Sequence, residues 1–139
     1  MRDNSRILVK LVFWLTVIAL LNIFSCDGSL NYEQDSPVVG TWVFDSYDDN
    51  VTVLLRSDQL DENQYGFSFS PLGNFIERKN SGWCGTPPIA YKNYEGHWKK
   101  LSDNLYSIDV DYWGGKTSYN IQILSVNTYQ LRITYQYSE

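Results

Sequence analysis

Few residues in this 139-residue chain could do covalent chemistry. His97 is the single histidine, so a Ser–His–acid relay would have to use it as the base. No G-x-S-x-G elbow is present to supply a nucleophile. His97 sits between Gly96 and Trp98, and the strand parity that turns Trp98 inward turns His97 to the polar face. With Cys26 acylated, one histidine and one free cysteine fall short of the three or four N/S ligands of a thiolate–imidazole zinc site. Asp109 and Asp111 share one face of a strand about 7 Å apart, a spacing that overlaps the carboxylate pair of inverting glycosidases. Their neighbours Ile108, Val110 and Tyr112 claim the apolar face, so both acids are expected outside, in water. Tyr47-Asp-Asp-Asn50 offers oxygen ligands but lacks the spacing of a calcium loop, and reads as a turn. The expectation is a protein without catalysis, cofactor or metal.

The aromatic residues carry the functional signal. Phe, Trp and Tyr make up 16% of the chain, with eleven tyrosines and five tryptophans. Such rings line a ligand cavity, form a platform for sugars, or fill a core. A partly open cavity is the favoured reading, lined by Trp42, Phe67, Phe69, Trp83, Tyr94, Trp98, Tyr119 and Tyr135. The Pro/Gly-rich stretch Asn80–Ala90 holds Trp83 and Cys84 and is longer than a hairpin loop needs. Trp83 is therefore read either as a lid or rim residue or as a plug in one end of the core.

The elements that must position these residues follow period two. Alternating segments begin at Gly40, Val51, Tyr65, Asn74, Tyr91, Leu105, Thr117 and Tyr129. The last aligns Tyr129, Leu131, Ile133, Tyr135 and Tyr137 against Gln130, Arg132, Thr134 and Gln136. The second puts Val51, Val53 and Leu55 on one side. Arg56–Gln64 has room for one helical turn, and no other window is helical. Eight short strands with short connections indicate an antiparallel barrel or sandwich, and periodicity does not choose between them.

The first 25 residues read as an address. Arg2, Arg6 and Lys10 precede an eleven-residue apolar run, Leu11–Leu21, which is too short to span about 30 Å of hydrocarbon. Ile23-Phe24-Ser25-Cys26 then resembles a bacterial lipobox. The resemblance implies cleavage before Cys26 and lipid attachment to it, hence a lipid-anchored protein of the bacterial cell envelope, with the outer membrane favoured. Cleavage there removes three basic residues and one acid, turning the net charge from −5 to −7. Phosphate backbones and anionic headgroups repel such a body, so nucleic acid is excluded and the lipid must hold the membrane. Residues 26–37 read as a polar tether, and Cys84 as a lone thiol with no partner for a disulfide.

Gly40-Thr-Trp42 at the first strand, Gly96-His-Trp98 at mid-domain and the strand order resemble small bacterial lipocalin-like lipoproteins over roughly residues 38–137. The resemblance implies an all-β fold, an eight-stranded antiparallel up-and-down barrel over 38–139. It implies that a small apolar or amphipathic molecule is bound, by a monomer. A lipocalin T-D-Y motif is missing, and Arg132 is the residue placed to supply the late arginine that packs on the first-strand tryptophan. Arg132 and Tyr135 face opposite ways, so a fatty-acid carboxylate site built on that pair is not expected. The alternative is a surface β-sandwich module that binds glycans or proteins.

Overall fold

The computed structural model describes residues 36–83 and 85–137. The leader 1–25, Cys26, residues 27–35 of the tether, and Cys84 lie outside the described residues. Eight strands are formed: β1 (Gly40–Asp48), β2 (Val51–Ser57), β3 (Gly66–Phe69), β4 (Asn74–Asn80), β5 (Tyr91–Ser102), β6 (Leu105–Tyr112), β7 (Gly115–Val126) and β8 (Gln130–Tyr137). They close into one antiparallel barrel in the order β1-β2-β8-β7-β6-β5-β4-β3, which removes every sheet edge and excludes the sandwich.

From β3 to β8 each strand pairs with the next, as an up-and-down barrel requires. The first hairpin is inserted the other way round. β1 lies between β2 and β3, and β2 closes the barrel onto β8 through Thr52↔Ile133 and Leu54↔Leu131. Both β2 and β3 run antiparallel to β1, so residues 58–65 must carry the chain back across it. This crossover occupies the stretch that has room for one helical turn, and no helix forms there. Its path is fixed by backbone partners instead. The Phe44 N–H donates to the Tyr65 carbonyl at 2.9 Å, the Gln64 amide donates to the Phe44 carbonyl, and Arg78 Nη2 donates to the Glu62 carbonyl at 2.9 Å.

Alternation places most side chains as their polarity demands. In β6, Tyr106, Ile108 and Val110 are buried while Asp109 is exposed. β2 differs: Thr52, Val53 and Leu54 are all buried, whereas Leu55, expected to face inward with Val51 and Val53, is 43% exposed. The run Val-Thr-Val-Leu-Leu is apolar on both faces, so its own pattern is mute, and pairing Leu54 with Leu131 sets the parity. Tyr129 also departs from its expected inward position and is 78% exposed. The Asn127 side chain accepts the N–H groups of Tyr129 and Gln130, each at 2.8 Å, which holds Tyr129 in the turn before β8.

One end of the barrel is packed solid. Phe69 meets Phe75, Trp98 and Tyr106 edge-on at ring separations of 5.0, 5.5 and 6.2 Å. Residues 36–39 plug this end, with Val38 fully buried. The Trp42 indole N–H donates to the Val38 carbonyl at 2.7 Å, and the Ser36 and Tyr106 hydroxyls share a 3.0 Å hydrogen bond. Burial of each such side chain contributes roughly 1.5–3 kcal/mol. The arginine over Trp42 comes from β2: the Arg56 guanidinium lies 4.0 Å from the ring centre. Arg132, the residue expected there, faces outward and pairs with Asp48 at 2.6 Å.

Candidate functional site

At the other end the interior changes from packed rings to a polar, tyrosine-walled cavity of about 750 Å³. β4 makes the change in three alternate residues: Phe75 ends the packed core, Glu77 forms the cavity floor and Lys79 rises toward the mouth. β7 contributes Tyr119, β8 contributes Tyr135 and Tyr137, and Tyr65 stands just before β3. The β1–β2 turn closes the rim with Asp49, whose φ of 54° is left-handed, and Asn50. Asp is among the few side chains that tolerate that conformation.

Glu77 is 4% exposed, and two groups neutralise its burial. The Tyr65 hydroxyl donates to Oε1 at 2.9 Å and the Lys79 ammonium to Oε2 at 2.5 Å. The Tyr65 and Tyr135 hydroxyls are 2.8 Å apart. Because Tyr65 spends its proton on the carboxylate, Tyr135 donates to Tyr65, and the three groups form a directed relay. The Tyr119 ring lies 5.7 Å from Tyr135 and 5.8 Å from Tyr137. Its hydroxyl is buried and has no hydrogen-bond partner among the described residues. The Glu77 carboxylate is near enough to act on it through space.

These phenols resist ionisation. Burial, with the partner tyrosine and the Glu77 charge adding to it, pushes the Tyr65 phenol well above its ordinary value. Burial and the same carboxylate do so for Tyr119. Burial, with the Glu77 charge adding to it, raises Tyr135, and burial raises the more exposed Tyr137 as well. The cavity is therefore lined by neutral hydroxyls around one buried carboxylate.

The eight aromatic residues proposed from sequence divide between the two ends. Tyr119 and Tyr135 line the cavity. Trp42, Phe67, Phe69 and Trp98 belong to the packed end. Tyr94 is buried beneath the Lys79 and Lys92 ammoniums, which stand 5.6 and 5.7 Å from its ring centre. Trp83 is 82% exposed on the loop that follows β4, so it does not plug the core. Glu77, Lys79 and Tyr65 were not among the eight. The signal for the first two is their parity with Phe75, which makes the same strand that buries a phenylalanine turn a carboxylate and a lysine to the inner face.

A second hollow, of about 710 Å³, lies on the outer surface over β4 to β7 and includes His97, Asp109 and Asp111. His97 faces Asp109 in register, and Asp109 accepts the Ser118 hydroxyl proton at 2.5 Å. Asp111 pairs with Lys116 at 3.5 Å. The serine is thus bound to the acid and not to the imidazole. Among the described residues no group of three or more His, Cys, Asp or Glu side chains is placed to hold a metal ion.

No family model matches the chain, and no curated protein or solved structure matches it either.

Proposed function

We propose that this chain is a lipid-anchored envelope protein whose barrel holds a small amphipathic molecule in its mouth, without catalysis. The observation that carries the binding role is a tyrosine-walled cavity of about 750 Å³ whose wall includes the buried Tyr119 hydroxyl, without a hydrogen-bond partner among the described residues. A buried phenol without a partner costs about 1–3 kcal/mol, and a ligand with a complementary polar group recovers it. The tyrosine rings offer apolar faces to the rest of such a molecule. The reading as a lipocalin-like carrier rests on the closed eight-stranded barrel and the G-x-W segments. The inserted first hairpin sets it apart from a strictly neighbour-to-neighbour barrel. Lipid attachment rests on the lipobox resemblance at Cys26.

Titration of the full chain in phospholipid nanodiscs with amphipathic ligands and oligosaccharides tests the binding role. Trp113 lines a smaller hollow beside the mouth, shared through Lys79 and Thr117, and reports by fluorescence. Saturable quenching by amphipathic ligands, lost in Trp113→Phe, supports the proposal; a response to oligosaccharides alone overturns it. Metabolic acyl labelling tests the anchor, and continued labelling of Cys26→Ala would sink it.

A further inference from the structure

We infer that the mouth is a cation site and that its ligand is a small organic ammonium ion on an apolar body, which displaces Lys79 from Glu77. This inference rests on the binding role proposed above and specifies the ligand's charge.

Three observations carry it. The ionic side chains lining the cavity are Asp49, Glu77 and Lys79, two carboxylates against one ammonium. The remaining wall is rich in tyrosine, whose ring faces are negative and attract cations within about 6 Å. Finally, the site already holds an ammonium: Lys79 Nζ is 2.5 Å from Glu77 and 5.6 Å from the Tyr94 ring centre. That ammonium is tethered by a flexible stem on a side chain 22% exposed, against 5% for its partner. Lys79 can therefore swing into water while Glu77 cannot follow, so an incoming ammonium replaces one cation with another and no buried charge is stranded. A primary ammonium has three N–H groups, enough to serve Glu77 and the free lone pairs of Tyr119.

Anion binding predicts the reverse dependence on Lys79. An anionic ligand would need that ammonium, and its removal would weaken binding. A cationic ligand competes with it, and its removal strengthens binding.

The test is calorimetric titration of the full chain in nanodiscs, with empty discs subtracted, at neutral pH. Hexylammonium, hexanoate and hexanol serve as probes of one chain length and three charges. Hexylammonium is expected to bind in preference to the other two. Lys79→Met should tighten it by up to about fivefold, the effect of removing one competing ion pair of ordinary strength. Glu77→Gln should reduce binding at least as much, with circular dichroism confirming the fold; if it unfolds, Lys79→Met alone still decides the sign. Preference for hexanoate or hexanol, or weakened hexylammonium binding in Lys79→Met, overturns the cation assignment and leaves cavity binding standing. Failure of all three probes in both the parent and Lys79→Met overturns both readings.

Discussion

The Arg56 guanidinium covers the Trp42 ring at 4.0 Å and donates from Nη1 to the Val39 carbonyl at 2.7 Å. It also reaches the Pro37 carbonyl from Nη2 at 3.2 Å. One side chain of β2 thus fastens Pro37 and Val39 and roofs the fully buried Trp42. Arg56→Ala should cost about 1–2 kcal/mol, read as a lower urea midpoint at unchanged slope. Arg56→Lys should recover less than half of that loss, since an ammonium lacks the planar fork. An Ala variant as stable as the parent would show that the plug holds without it.

Gly96 sits where β5 crosses closest to β6. A Cβ there would meet the Asp109 carbonyl oxygen and lie 2.8 Å from the Val110 Cα, both backbone atoms that cannot swing aside. Gly96→Ala should destabilise by about 2 kcal/mol or more, in the upper part of the range for overpacked sites. Gly85, where an added Cβ meets nothing within 4 Å, is the matched control, and Gly85→Ala should change the thermal midpoint little. Equal effects at the two positions would contradict the packing described.

The Tyr135–Tyr65–Glu77 relay predicts coupled losses. Tyr65→Phe leaves the Glu77 carboxylate with Lys79 alone and removes the acceptor of Tyr135, so about 1–3 kcal/mol should be lost. Tyr135→Phe should cost less, because it leaves the bond to the carboxylate intact. A double-mutant cycle should give a coupling of at least 0.5 kcal/mol between them, and strict additivity would break the relay.

Alkaline pH should unfold the protein through its tyrosines. The folded state raises the phenol pKa of Tyr65, Tyr119 and Tyr135, chiefly by burial. Above about pH 10 the unfolded chain releases these protons while the folded chain keeps them. The stability they confer is complete below that pH and declines above it, by up to roughly 1.4 kcal/mol per pH unit for each phenol. Urea midpoints at pH 9 and 11 should therefore diverge, and Tyr119→Phe should narrow the gap. Absorbance titration should show these phenols ionising only as the fold is lost.

The strands were legible because their faces differ. Leu105–Tyr112 and Gln130–Tyr137 alternate cleanly, and both ends were placed nearly to the residue. The crossover after Ser57 was not legible, because Asp58–Gln64 is polar and carries no period, and its path depends on partners distant in sequence. The cavity floor was half legible. A ring such as Trp42 and a ring such as Tyr119 have the same parity, and parity does not say how far along the barrel a residue stands. Glu77 was overlooked because a charge on a strand reads as outward unless its phase with Phe75 is followed through.

The inserted first hairpin has a consequence for how the chain is completed. β2 finds its second neighbour only in β8, the last strand made. Until β8 is in place, β2 and β7 both present unpaired N–H and C=O groups, open to strands of other molecules. Loss of the C-terminal strand therefore does more than shorten the sheet by one-eighth: it turns a closed cylinder into a curved sheet with two adhesive edges. Truncation before Gln130 should give an aggregating chain, and folding should be committed only once the last strand has arrived.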